Sequence, residues 1–225
     1  MSRPSGHQAV RPSGHQAIRP SGHQAVRPSG HLIAFEGLDQ SGKQTQAERL
    51  LAAFRAANRK AEFLTFPAYE TAIGTEIDFA LHGKRDYAAD TLQLLYIANR
   101  FEFRPRIESW LAAGTMVVCD RYLASSIAYG EAQGVDAAWL AEIQKFLPQP
   151  SLTILLDIPP EASLTRKQVA RDKFERDLPL LGRVRESYLR QLAASKDWTR
   201  LEGHADKDAV SSAVVNAVRS RLGLL

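Results

Sequence analysis

The feature that most constrains the fold is a glycine loop between a short apolar run and an amphipathic stretch. Residues 31–36 (HLIAFE) predict a strand, and residues 46–60 carry apolar side chains at helical spacing. Gly37 and Gly42 frame the loop, because glycine adopts backbone angles that other residues avoid. Lys43 follows the second glycine, and this strand–loop–helix context is the one that a phosphate-binding loop requires.

Such a loop binds phosphate because successive backbone N–H groups form an anion nest at the positive end of a helix. Lys43 would supply a full charge to the terminal phosphates. The predicted ATP-binding residues are Gly37, Leu38, Asp39, Gln40, Ser41, Gly42, Lys43, Gln44 and Thr45. One residue departs from the rule, since Gln44 stands where a Ser or Thr hydroxyl would ligate magnesium.

The rest of the chain alternates strand and helix, which predicts an α/β fold of three layers with a five-stranded parallel sheet flanked by helices. The other predicted strands are 61–66, 115–119, 151–156 and a weaker 198–201, and the predicted helices after the first are 73–81, 91–113 and 209–222.

Polar and aromatic residues follow the predicted strands, where ligands of parallel α/β sheets bind. They include Asp39, Lys43, Phe66, Tyr69, Asp120 and Arg121. The cations Lys43 and Arg121 suit phosphoryl transfer, in which negative charge collects on the transferring oxygens. Asp120 is the predicted magnesium residue, acting directly or through water.

A basic stretch follows the fourth strand and contains Arg166 and Arg171 among other cations. It is either a solvated helix face or a short lid over about 163–176 that closes on nucleotide phosphates.

Residues 1–30 form a basic repeat of period eight, RPSGHQAV, and are predicted to be a disordered tail preceding one domain at 31–225. Residues 1–31 hold four arginines and no acid, so the remaining 25 basic residues balance 25 acidic ones. The folded part therefore carries no basic excess, and no nucleic-acid partner is predicted. No run is long enough to span a membrane, and the single cysteine suits a reducing, cytoplasmic location.

Five segments, in order, resemble the thymidylate kinase family of P-loop nucleoside-monophosphate kinases: EGLDQSGKQTQ, FPAYETAIG, LLYIANRFE, DRYLASSIAYG and RDKFE. The resemblance covers about residues 32–220. It implies a P-loop kinase fold, phosphorylation of dTMP to dTDP by ATP with Mg²⁺, and a homodimer packed partly through residues 91–113.

The same resemblance assigns roles around the acceptor nucleotide. Tyr96 would stack on thymine, Arg100 would hydrogen-bond the base, and Phe66 would form a wall of the pocket. Asp39 would bind the sugar 3′-hydroxyl, and Tyr129 would lie against the sugar 2′ carbon.

At the phosphates, the resemblance implies that Arg121 bridges donor and acceptor and that Asp120 organises magnesium. Gln40 replaces an arginine found in some members, so Arg166 or Arg171 of the lid becomes the candidate catalytic cation. Tyr69 replaces another arginine, which contacts the acceptor phosphate in many members.

Two alternatives stay open. One is a kinase for another pyrimidine deoxynucleotide or for a deoxynucleoside, since such kinases share a phosphate loop and an Asp-Arg-Tyr-like motif. The other is a catalytically weak, nucleotide-binding regulatory protein, which the departures at Gln44 and Tyr69 favour.

Overall fold

The computed structural model describes residues 30–166 and 177–225. Its strands are β1 (Leu32–Glu36), β2 (Ala61–Thr65), β3 (Met116–Asp120), β4 (Leu152–Asp157) and β5 (Trp198–Glu202). Its helices are α1 (Lys43–Ala56), α2 (Ala72–Leu81), α3 (Ala89–Ala112), α4 (Leu123–Ala132), α5 (Ala137–Ile143), α6 (Pro160–Arg166), α7 (Leu178–Ala194) and α8 (Lys207–Leu222).

The five strands form one parallel sheet in the order β2-β3-β1-β4-β5. The central strands are apolar along nearly their whole length because helices cover both faces of the sheet. The predicted three-layer α/β fold with a five-stranded parallel sheet is confirmed. All carboxyl ends of the strands lie at one rim, which is where the polar residues named above are brought together.

Alternate residues of β1 divide the core between the two layers of helices. Ile33 and Phe35 pack in one cluster with residues of α1 and α8, such as Phe54 and Val214. Leu32 and Ala34 pack in the cluster on the opposite face, which includes residues of α3 such as Ile107. The chain's only cysteine, Cys119, is fully buried in β3 within this second cluster, and burial raises the pKa of its thiol.

Helices α4, α5 and α7 are present although the sequence reading does not predict them. Helix α4 is rich in small and polar residues and offers no continuous apolar stripe to read. Its alanines 124, 128 and 132 nevertheless pack against α7 in a third cluster with Leu181 and Val184. Tertiary packing therefore stabilises these helices more than local sequence preference does.

The predicted tail at 1–30 and most of the predicted lid at 163–176 lie outside the described residues. Gly30 is described; it is buried and donates a hydrogen bond to the Leu111 carbonyl at 2.9 Å. Helix α6 occupies the beginning of the predicted lid. Within the ranges that the structure describes, every helix is too short or too polar to cross a membrane.

Candidate active site

The glycine loop joins β1 to α1 and has three residues with positive φ: Gly37 (138°), Gln40 (63°) and Gly42 (92°). No other residue fits at position 37, because a Cβ there would lie 2.4 Å from the Leu156 carbonyl oxygen. Left-handed angles spaced along a short loop turn backbone N–H groups toward a common centre. The loop therefore has the backbone form of an anion-binding nest.

Lys43, the first residue of α1, is almost completely buried beneath this loop. Its Nζ donates to the Leu38 carbonyl at 2.8 Å. Burial and then the charge of Arg121 lower the pKa of Lys43, while the carboxylates Asp39 and Asp120 oppose the shift. The N-cap residue of α1, Gly42, offers no side chain to the first turn, so the positive end of the helix remains available to an anion.

A cavity of about 530 Å³ opens beside the loop, within the size range of small-molecule sites. It extends from the glycine loop to the start of α8. Its lining residues are Gln40, Ser41, Gly42, Thr45, Gln46, Gly203, Ala205, Asp206, Lys207 and Val210.

The Gln44 side chain lies along α1 and does not take the place of the Ser or Thr hydroxyl that usually follows the loop lysine. Its Nε2 donates to Glu48 Oε1 at 2.9 Å, one turn further along the exposed side of α1. Thr45, the next residue, lines the cavity. The position that follows the loop lysine therefore offers no short hydroxyl oxygen to a metal.

Asp39, Arg121 and Tyr129 form one hydrogen-bonded group at the rim. The Arg121 Nη2 lies 2.6 Å from Asp39 Oδ1, and the Tyr129 hydroxyl donates to Asp39 Oδ2 at 2.9 Å. The guanidinium also lies over the Tyr129 ring, 5.3 Å from its centre. Three residues that the family resemblance assigns to sugar and phosphates are thus in mutual contact.

Within this group, electrostatic interactions keep Asp39 ionised and Arg121 protonated, so the two form a stable ion pair. Burial alone would raise the pKa of Asp39, but the charges of Arg121 and Lys43 outweigh it and hold that pKa well below its usual range. Burial likewise opposes the charge on Arg121, and the Asp39 carboxylate more than offsets it, so the pKa of Arg121 is raised. Burial raises the pKa of Tyr129, which keeps its hydroxyl protonated.

Arg121 itself has a positive φ of 62°, which is rare for a residue with a side chain. The turn is stabilised by Glu36, a fully buried carboxylate at the end of β1. Glu36 accepts a hydrogen bond from the Tyr122 backbone N–H at 2.8 Å, and the Arg121 N–H donates to the Phe35 carbonyl at 2.9 Å. The Phe35 carbonyl and the Glu36 side chain of β1 therefore fix the backbone position of Arg121.

Asp120 ends β3, and its Oδ1 is buried without a hydrogen-bond partner among the described residues. A buried carboxylate oxygen that lacks a donor fits a metal ion or its bound water. In the described ranges, no group of three or more His, Cys, Asp and Glu side chains could hold a metal. A magnesium ion here would therefore rely on Asp120 together with nucleotide phosphates and water.

Of the residues predicted to bind the base, Tyr96 and Arg100 lie on α3 and Phe66 directly follows β2. Arg100 is 2% exposed, and its Nη1 donates to Ser126 Oγ at 2.7 Å and to the Tyr96 carbonyl at 3.2 Å. Its guanidinium carbon lies 5.8 Å from the centre of the Phe66 ring. Phe66, Tyr96 and Arg100 are therefore brought together, with Ser126 orienting the cation.

The loop after β2 is pinned by a residue that the sequence reading does not single out. Asn99 is fully buried on α3; it accepts from the Ala68 N–H at 2.8 Å and donates to the Ala68 carbonyl at 3.2 Å. Tyr69 follows and is 47% exposed, at the surface beside the rim. Arg166 and Arg171, the predicted lid cations, lie outside the residues whose side chains are described.

Sequence reasoning also misses three residues around the site. Ser126 and Tyr188 accept hydrogen bonds from Arg100 and Arg121, and Glu36 accepts one from the backbone of Tyr122, the residue after Arg121. Glu36 precedes the glycine loop directly, so a charged residue ending an otherwise apolar strand is the signal that could have identified it. Tyr188 lies on α7, 67 positions from Arg121, and no local pattern marks it.

A parallel sheet with a glycine loop after its first strand, and with cations and carboxylates at the same rim, defines a phosphotransferase of the nucleoside-monophosphate kinase class. The family model described as thymidylate kinase matches residues 35–214. The chain belongs to the thymidylate kinase family.

Individual relatives agree with this membership. The chain is 37% identical over 145 residues to the thymidylate kinase of Schizosaccharomyces pombe, and the matched region covers 64% of this chain and 69% of that protein. It is 34% identical over 200 residues to a probable thymidylate kinase of Pyrococcus abyssi, covering 84% and 96% of the two chains. A thymidylate kinase structure from Candida albicans, reported for its broad substrate specificity, superposes with a TM-score of 0.76 at 28% identity, covering 85% and 92%.

Proposed function

We propose that this protein phosphorylates dTMP to dTDP with ATP as the phosphoryl donor, and that the rim residues described above are its catalytic and binding groups. The observation that carries the proposal is the meeting of the glycine loop and Lys43 with the Asp39–Arg121–Tyr129 group at one rim. The cavity beside the glycine loop suits the nucleotide donor. Phe66 and Arg100, whose ring centre and guanidinium carbon lie 5.8 Å apart, are the groups proposed to contact the acceptor base.

In this proposal, the acceptor phosphate oxygen attacks the γ-phosphorus of ATP in line and the bond to the β-phosphate bridging oxygen breaks. The attacking oxygen is already anionic, so no strong general base is required. Lys43 and Arg121 donate to the phosphoryl oxygens as charge shifts between them. Asp120 would hold Mg²⁺, which supplies further neutralisation of phosphate charge when bound.

Acceptor selection follows from the opposite side of the site. Tyr96 would stack on the pyrimidine, and Arg100, held by Ser126, would donate to a base oxygen. Asp39 would accept from the sugar 3′-hydroxyl. Tyr129 is fixed against Asp39 and would crowd a 2′-hydroxyl, which favours deoxynucleotides.

The family's homodimer is proposed here for this chain as well. Leu94, in the second turn of α3, is a large apolar side chain that is 45% exposed. Ala98 and Phe101 follow it at helical spacing and are only partly buried. A second copy of the chain would cover this apolar stripe of α3.

The cytoplasmic location and the lack of a nucleic-acid partner stay predictions from composition.

The proposal is tested by steady-state kinetics with ATP and Mg²⁺ on dTMP, dUMP, dCMP and thymidine, with the full chain and with residues 1–29 removed. We expect the highest kcat/KM for dTMP in both proteins. Phosphorylation of thymidine without phosphorylation of dTMP would show that the acceptor assignment is wrong. Nucleotide binding without turnover of any acceptor would favour the regulatory alternative.

A further inference from the structure

Behind Arg121 lies a buried polar chain that the proposed chemistry does not use. It begins at Glu36, which is 0% exposed and whose Oε2 accepts from Ser125 Oγ at 2.6 Å. The same Oε2 accepts from the Tyr188 hydroxyl at 3.1 Å. A buried carboxylate is stable only with such donors, so the positions of Ser125 and Tyr188 are set by Glu36.

The Tyr188 hydroxyl reaches Arg121 as well. The Arg121 Nη1 donates to the Tyr188 oxygen at 3.3 Å and to Ser125 Oγ at 3.1 Å. Tyr188 is 1% exposed, and its ring packs in the cluster between α4 and α7. A phenol has one proton and two lone pairs, so it can donate to Glu36 and accept from Arg121 at the same time.

The two ends of the guanidinium are held in different ways. Nη2 contacts Asp39 and Tyr129, the groups that the proposed function assigns to the acceptor sugar. A bound substrate would compete for these groups. Nη1 contacts Ser125 and Tyr188, which are buried, backed by Glu36 and out of reach of a nucleotide at the rim. Nη1 is therefore the end that can remain anchored during the reaction.

We infer that Tyr188 is a positioning residue for phosphoryl transfer: its hydroxyl, fixed by Glu36, holds the Arg121 guanidinium at the angle that it needs to contact the phosphates. The inference rests on the role proposed for Arg121. It assigns the orientation of that cation to a residue of α7 that lies 67 positions from Arg121 in the sequence.

The test is Tyr188→Phe, which removes the hydroxyl and keeps the ring in its packed place. One lost hydrogen bond to a charged group that acts in the transition state should lower kcat about fivefold to twentyfold. KM for ATP and for dTMP should change less than about twofold, since neither nucleotide touches Tyr188. The midpoint of thermal unfolding should stay close to that of the wild type.

Tyr122→Phe is the matched control. Tyr122 is also fully buried, but its hydroxyl has no hydrogen-bond partner among the described residues. Its removal should leave kcat within about twofold of the wild type. If Tyr122→Phe lowers kcat as much as Tyr188→Phe does, the loss reflects repacking of the core and the inference is overturned.

Arg121→Lys separates this inference from the proposed function. It should lower kcat more than Tyr188→Phe does, and the double variant should be no slower than Arg121→Lys alone, because lysine cannot make the same two-ended contact. Equal rates for Arg121→Lys and the wild type would remove the proposed role of Arg121. A large loss in Arg121→Lys with full activity in Tyr188→Phe would overturn the inference alone.

Glu36→Gln gives a second test that leaves the Tyr188 ring untouched, should the phenylalanine variant fold poorly. The amide is a weaker acceptor for the tyrosine proton, so kcat should fall while both KM values hold. A Glu36→Gln enzyme with unchanged kcat contradicts the inference.

Discussion

The Nη2 atom of Arg121 lies 2.6 Å from the Oδ1 atom of Asp39, so the glycine loop and the end of β3 are joined by a partly buried ion pair. A residue of the proposed donor-binding loop and the proposed phosphate-bridging cation thereby share one electrostatic environment. In the proposed function, a bound substrate would change the partners of both groups together.

This pair predicts how stability depends on acid. The pKa of Asp39 is depressed in the folded protein, so its contribution to the free energy of unfolding is complete above the ordinary aspartate pKa of about 3.9 and is lost as pH falls below it. In urea titrations, the free energy of unfolding of the wild type should decline more steeply from about pH 4 to pH 2.5 than that of Asp39→Asn. Asp86→Asn, at an exposed site, should follow the wild type. Parallel curves for all three proteins would contradict the prediction.

Lys43 should be indispensable for transfer. Lys43→Ala removes the buried cation under the loop and should lower kcat by about 100-fold or more, with the fold retained in circular dichroism. Lys60→Ala, an exposed lysine before β2, is the control and should keep full rate. Unchanged turnover in Lys43→Ala would falsify the phosphate-loop assignment.

Gln44 should limit the use of magnesium. Gln44→Ser restores the short hydroxyl that this position lacks, so the Mg²⁺ concentration for half-maximal rate should fall severalfold. Gln44→Ala breaks the same hydrogen bond to Glu48 without adding an oxygen and should show no such gain. Calorimetric titration of Mg²⁺ into the complex with a non-hydrolysable ATP analogue gives a readout that does not depend on turnover. Equal Mg²⁺ affinity in all three proteins would argue against this role.

Tyr96 should act on the acceptor alone. Tyr96→Leu removes the stacking surface and should raise KM for dTMP by about tenfold while KM for ATP stays within about twofold. Both constants come from initial-rate measurements at saturating co-substrate. A rise in both KM values would place Tyr96 in the packing of α3 instead of in the base pocket.

The exposed face of α3 should set the oligomeric state. Leu94→Arg places a charge in the apolar stripe and should convert a dimer to a monomer in size-exclusion chromatography with light scattering. Phe146→Arg is the control, because Phe146 is 61% exposed and lies outside α3. Dissociation by Phe146→Arg, or a dimer that survives Leu94→Arg, would locate the interface elsewhere.

The sequence predicts the sheet well because buried parallel strands are continuous apolar runs, and 115–119 and 151–156 are easily read as such. It predicts the rim for the same reason, since the carboxyl ends of parallel strands meet. It does not predict α4 or α7, whose helices depend on packing against each other. Without α7, no sequence argument could place Tyr188 beside Arg121, because their contact exists only in the folded chain.

The buried position of Cys119 has a practical consequence. A thiol sealed inside β3 will not react with maleimides while the protein is folded. The folded wild-type chain therefore serves, without further substitution, as an unreactive background for labelling at an introduced cysteine. A cysteine introduced on the β5–α8 loop would carry a fluorophore alone, and the donor side of the site could be followed in real time without removing any natural residue.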